Sequence, residues 1–178
     1  MAYNAGAASG NLILIQEQTA SNSVSLNFTT GITGFDVYYI DFYGAQNATD
    51  GAALLIRVST DGGASYSAAG YDVTNYYSFP GSLSQGTTGG VTGFRLTDNN
   101  NNTDAAMPIV GNAYLYSFSN ASFKKQCIST FMGNSNGNTL LSQQGTIWST
   151  TTAVNAIQVI ASSGNITSGT FKLYGVAN

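Results

Sequence analysis

Eight carboxylates and one thiol make up the acid, base and nucleophile chemistry of this chain, which contains no histidine. The missing imidazole removes the commonest general base and the commonest metal ligand together. A Ser-His-Asp triad and a Cys-His pair are both out. With Cys127 as the single cysteine, the usual zinc ligand sets cannot be assembled and no disulfide forms within the chain. Cys127 beside Ile128 reads as a small buried apolar side chain. Neither GxGxxG nor GxxxxGK[ST] occurs, so a nucleotide has no seat and no cofactor is expected.

Two acids at the right separation suffice for a glycosidase, so a carboxylate-pair hydrolase or depolymerase stays open as a third reading. Its supply is Glu17, Asp36, Asp41, Asp50, Asp61, Asp72, Asp98 and Asp104. Asp50 and Asp61 stand in turn contexts and Asp36 precedes a strand, where capping and turn roles explain them. Asp41, on the outer side of a strand, is expected to pair across strands with Arg57. Asp98, Asn100, Asn102 and Asp104 alternate like the first ligands of an EF-hand loop. The pattern fails at the glycine position, held by Thr103, and at the closing glutamate, held by Ile109. A solvated polar loop is the expectation, and no metal site is assigned.

Recognition chemistry is better supplied. Tyr76, Tyr77 and Phe79, followed by the Asn-rich run that includes Asn100 and Asn102, form the candidate contact or receptor surface. Aromatic rings there could stack on a sugar ring while amides hold its hydroxyls, which gives a carbohydrate- or receptor-binding module as the second reading. Trp148, flanked by Ile147, is assigned to the core.

Strand residues position these groups. From Phe35 to Tyr71, Tyr38, Ile40 and Phe42 alternate with Tyr39, Asp41 and Tyr43, and Leu54, Ile56 and Val58 alternate with Leu55, Arg57 and Ser59. One apolar face per strand demands a covering layer, hence a sandwich or barrel. Asp61-Gly62 predicts a hairpin whose second strand runs from about Ala64 towards Val73. Leu12–Ile15, Val24–Phe28, Tyr114–Phe118 and the runs near 122–132, 146–150, 155–161 and 170–176 supply further strands. Residues 74–93 and 98–110 read as loop insertions and residues 1–10 as an N-terminal arm. No stretch holds a 3.6-residue period for three turns. The expected fold is all-β: a single-domain, antiparallel, jelly-roll-like β-sandwich of about eight to ten strands.

Over 178 residues, 7% are charged, the formal net charge is −3, and eleven are tyrosines. A surface of amides and hydroxyls with little Lys or Arg argues against nucleic acid as a partner. No apolar run reaches membrane-spanning length and no signal-peptide pattern opens the chain, so no membrane association or export is expected. Low charge with abundant Tyr suits proteins buried in large assemblies.

The segment TDGAALLIRVSTDGGASYSAAGY (Thr49–Tyr71), preceded by VYYIDFYG, and the C-terminal AIQVIASSGNITSGTFKLYGV (Ala156–Val176) resemble a family of bacteriophage and prophage virion structural proteins. With the strand around Tyr114–Phe118 between them, the resemblance covers about two-thirds of the chain, and it rests on structural glycines, turns and alternations that mark a fold better than an activity. It implies a non-enzymatic virion component, a capsid decoration or cement protein or a tail or collar piece. Its expected partners are copies of itself, as a homotrimer, and other virion proteins such as the major capsid or tail proteins, with a host surface glycan under the second reading. No functional residue carries over.

Overall fold

The computed structural model describes residues 11–177, so the N-terminal arm expected over 1–10 lies outside the described residues. Twelve strands form two antiparallel sheets: β1 (Leu12–Ser23), β2 (Leu26–Phe28), β3 (Val37–Asn47), β4 (Leu54–Ser59), β5 (Tyr71–Phe79), β6 (Ser82–Val91), β7 (Phe94–Arg95), β8 (Ile109–Tyr116), β9 (Lys125–Ser135), β10 (Asn138–Trp148), β11 (Ala156–Ala161) and β12 (Ile166–Val176). The chain is all-β, without a helix among the described residues.

The strand orders are β1-β12-β3-β8-β9-β10-β5-β6 and β2-β11-β4-β7. Setting aside the hairpins β5–β6 and β9–β10 leaves eight strands in nested antiparallel pairs: β1 with β12, β2 with β11, β3 with β8, and β4 with β7. That is a jelly roll, a long antiparallel ribbon rolled so that its halves become two facing sheets. The two extra hairpins join the exposed edge of β8 and widen one sheet from four strands to eight.

Three expectations change here. Residues 74–93 are not a loop: they contain most of β5 and all of β6, joined by Pro80-Gly81, with Gly81 at φ 79°. Proline fixes the first central turn position and glycine supplies the positive φ of the second. Ser82–Val91 is poor in apolar residues because β6 is an outer strand that rests only Val91 on the core. Second, Asp61-Gly62 makes a turn but no hairpin. The Asp61 carboxylate accepts from Ser59 Oγ (2.6 Å), Ser65 N (2.9 Å) and Ser65 Oγ (2.6 Å), and the chain then crosses to the other sheet, where Tyr71 pairs with Trp148. Third, Asp41 and Arg57 occupy different sheets. Asp41 lies between Lys172 and Asn112, while Arg57 faces Gln158 and donates from Nε to Thr92 O at 3.0 Å.

Between the sheets, Tyr38, Ile40 and Phe42 of β3 face Ile56, Val58, Phe94, Ile157 and Val159, all essentially without exposure. The Phe42 and Phe171 rings stack at 5.8 Å, and Tyr71 stacks on Trp148 at 6.0 Å while meeting Phe94 edge-on at 5.1 Å. Trp148 is core, as expected, and its Nε1 donates to Ala69 O at 3.0 Å. Each such side chain contributes roughly 1.5–3 kcal/mol through removal from water.

The added strands carry polar residues inward. Ser129 Oγ donates to Arg95 O (2.8 Å), and Arg95 N donates to Thr146 Oγ1 (3.3 Å). These bonds dock the short strand β7 on the wide sheet, replacing a ladder that two residues cannot supply. Lys125 at the start of β9 is fully buried, and its Nζ donates to the carbonyls of Asn120, Phe123 (2.8 Å) and Thr151 (2.8 Å), tying together the loops at one end of the sandwich.

Candidate interaction surface

A strand alternates its faces, so the wide sheet must present outward every residue whose neighbours fill the core. Its eight strands run in register, and outward residues line up across it in rows. One row reads Leu14, Tyr174, Tyr39, Tyr114, Ile128, Gly145, Thr74 and Thr87 from β1 to β6. Two residues along the strands lies a polar row: Glu17, Lys172, Asp41, Asn112, Thr130, Gln143, Tyr76 and Gln85. Beyond it Tyr43, Val110, Met132, Leu141, Ser78 and Leu83 make a second apolar row.

Most of the exposed large apolar side chains among the described residues lie on this face: Leu14, Tyr43, Tyr76, Leu83, Tyr114, Ile128, Met132 and Leu141. Two apolar rows flanking a polar one make this face the candidate contact surface. The outer side of the small sheet differs: its apolar residues Ala53, Leu55 and Ile160 are buried as a small cluster of their own. There Asn27, Gln158 and Arg57 form a polar row, with Gln158 Nε2 donating to Asn27 Oδ1 at 2.9 Å.

Tyr39 packs against Tyr114 (5.0 Å between centroids) and Tyr174 (6.0 Å), and Tyr114 stacks near Tyr116 at 6.2 Å. This makes a tyrosine ridge on β12, β3 and β8. Burial, then the nearby Asp41 carboxylate, push the Tyr39 phenol above its usual range, so it stays protonated and can donate a hydrogen bond. On the other half of the face Gly145 leaves a depression of about 470 Å³ walled by Thr74, Thr87, Gln126, Ile128 and Ile147. A second, of about 280 Å³, lies between Tyr76, Leu83, Thr130 and Leu141. The only ion pair among the described residues, Glu17 with Lys172 at 3.2 Å, sits at one margin of the face, and Lys172 Nζ lies 5.9 Å from the Tyr43 ring centroid. The partner carboxylate holds the Lys172 ammonium above its usual pKa.

Of the residues singled out from sequence, Tyr76 alone lies exposed on this face. Tyr77 and Phe79, on the inward side of the same strand, are half-buried, pack on each other at 5.4 Å and rest against the core. Asn100 and Asn102 lie elsewhere, in the 96–108 loop: Asn100 N donates to Asp98 Oδ1 (2.8 Å), and Asn102 bridges to Asn134. The sequence reading did not single out Tyr39, Tyr114, Ile128, Met132 or Gly145 as contact residues. The signal was present in β9 and β10, where large apolar residues fall on both alternating sets.

The carboxylates are held locally. Asp50 Oδ1 accepts from Thr103 N (2.6 Å) and Oγ1, Asp104 accepts from Ala106 N (2.9 Å) and Asn134 Nδ2 (2.8 Å), and Asp72 accepts from Gly90 N (3.3 Å). Hydrogen bonds from Thr103 lower the Asp50 pKa, and those from Ser59 and Ser65 lower that of Asp61. Asp98 differs: it is buried, its Oδ2 has no partner, and burial raises its pKa. No three His, Cys, Asp or Glu side chains gather as a metal site among the described residues. Burial likewise pushes up the Cys127 thiol, which therefore stays protonated and unreactive. Compared with known proteins, the chain matches no family model and no curated protein.

Proposed function

We propose that this protein is a non-enzymatic structural subunit of a bacteriophage particle, a capsid decoration or cement protein or a tail or collar component, that acts through protein contacts made by the outer face of its wide sheet. One observation carries this reading: the tyrosine and aliphatic rows of the wide sheet's outer face, which flank a polar row and hold most of the exposed large apolar side chains among the described residues. Tyr and Met are favoured in interface cores and both stand in these rows, while the Glu17–Lys172 pair lies at the margin of the face. The setting in a virion rests on the resemblance of Thr49–Tyr71 and Ala156–Val176. It also draws on the jelly roll, which recurs in viral capsid domains and lectins and enters as fold-level analogy. Mass spectrometry of purified particles tests it: the protein is expected at a fixed stoichiometry with the major capsid or tail protein. Its absence from the particle overturns the reading.

A second reading, a glycan- or receptor-binding module, is favoured by one place on the same face. Tyr76 is exposed, with Gln85 beside it on β6 and Gln143 beside it on β10, over the 280 Å³ depression. A ring and two flanking amides suit a sugar. A glycan array that stays blank for wild type, or binding that Tyr76→Ala leaves unchanged, removes it.

A further inference from the structure

We infer that the occupant of the wide sheet's outer face is a second copy of this chain, related by a two-fold axis that runs parallel to the strands between β8 and β9. The inference deepens the proposed function and rests on its premise that this face is a contact surface. A two-fold interface is self-complementary: the same patch must supply both the projecting and the receiving parts. The face does so, with the ridge Tyr174-Tyr39-Tyr114 on one side of its midline and the Gly145 trough on the other.

An axis along the strands keeps each row opposite itself and reverses the strand order, so β8 meets β9 and β3 meets β10. Tyr39 of each copy then lies over Gly145 of the other, and Tyr114 over Ile128. In the polar row Asn112 meets Thr130, and Asp41 meets the Gln143 amide, so no charge faces its like. In the next row Val110 meets Met132 and Tyr43 meets Leu141, apolar against apolar. A two-fold across the strands stacks the tyrosine ridge on itself where it lies along that row, and sets Asp41 against Asp41 and Lys172 against Lys172 where it lies along the polar row.

The dimensions fit. Seven strand spacings of about 4.8 Å and, with the outward row Tyr116-Gln126-Ile147-Asp72 added to the three above, three two-residue steps of about 6.8 Å give a patch of roughly 34 by 20 Å, or about 700 Å² per copy. Standard stable interfaces bury about 800 Å² per partner. Packed sheets cross at about 30°, so the opposed pairs meet best near the axis, where the ridge and trough lie.

Gly145 gives the test, because it is conformationally ordinary. A Cβ there meets nothing nearer than Thr74 Cγ2 at 3.4 Å, and Gly145 is not among the glycines of positive φ. Gly145→Leu therefore fills the trough without disturbing the monomer, which melting followed by circular dichroism checks. By sedimentation equilibrium, wild type is expected at twice the 18.5 kDa chain mass. Gly145→Leu and Tyr39→Ala are each expected to weaken the dimer by roughly 30-fold or more. The double variant, in which the shortened side chain makes room for the added one, is expected to recover most of that loss. A monomeric or trimeric wild type overturns the inference, as does a dimer indifferent to Gly145→Leu, which pairing through the β6 edge would give. Such a failure leaves the proposed function standing if the protein is found in particles, whereas a dimer formed by a protein absent from particles does the reverse.

Discussion

Replacing Lys125 by Met removes a positive charge from a site with no exposure, and with it three donors to the carbonyls of Asn120, Phe123 and Thr151. A hydrogen bond from a charged donor contributes about 1.5–3 kcal/mol, so three give about 4.5–9 kcal/mol. Against this stands the relief of no longer desolvating an ammonium, worth several kcal/mol. A net loss of about 3 kcal/mol follows, and for a domain of this size each kcal/mol moves the melting temperature by about 2–4 °C, which makes the expected drop about 6–12 °C. Lys124, the neighbouring exposed lysine, provides the control: Lys124→Met should change stability by less than about 0.5 kcal/mol. Calorimetry at neutral pH reads both. A Lys125→Met protein as stable as Lys124→Met would refute the claim that this side chain clamps the 117–124 and 149–153 loops.

Three other perturbations follow from the packing. Asp98→Asn should stabilise the protein at pH 7 and change little below about pH 4. Burial raises the folded-state pKa of Asp98, so the stability that its neutral form confers is complete below the ordinary carboxylate value and is lost as pH rises through the elevated one. Chemical denaturation at pH 3.5 and 7 measures this, and a destabilised variant at pH 7 contradicts it. Trp148→Ala, which empties the site stacked on Tyr71, should cost about 3–5 kcal/mol in urea titrations. Gly111→Ala should cost about 1–3 kcal/mol, because its Cβ would stand 2.6 Å from Thr130 O and 2.7 Å from Phe42 Cζ, whereas Gly145→Ala should be close to neutral.

The jelly-roll half was legible because its strands obey simple alternation. Tyr38, Ile40 and Phe42 are buried and Tyr39, Asp41 and Tyr43 point outward, as period two requires. The added hairpins were harder to read. β6 rests only Val91 on the core, so Ser82–Val91 shows no apolar alternation and resembles a loop. β9 and β10 mix polar residues (Ser129, Ser142, Gln144) with Cys127, Phe131 and Leu140 inward and carry apolar residues (Ile128, Met132, Leu141) outward, which blurs the usual alternation. Their hairpin still had a signal: Asn136-Gly137, both with positive φ (51° and 80°), forms the two-residue turn that matches strand twist. The contact face was hidden for a further reason. Its rows join residues from eight strands scattered over the chain, and no local spacing reveals which of them share a row.

The most direct measurement of the central claim, that the outer face of the wide sheet is a contact surface, is hydroxyl-radical footprinting across a concentration series and in purified particles. Oxidation of Tyr114, Met132 and Leu141 is expected to fall as the protein assembles, while Val24 and Phe123, more exposed and off the face, keep their reactivity. Unchanged labelling of the three face residues in the assembled state would contradict the account.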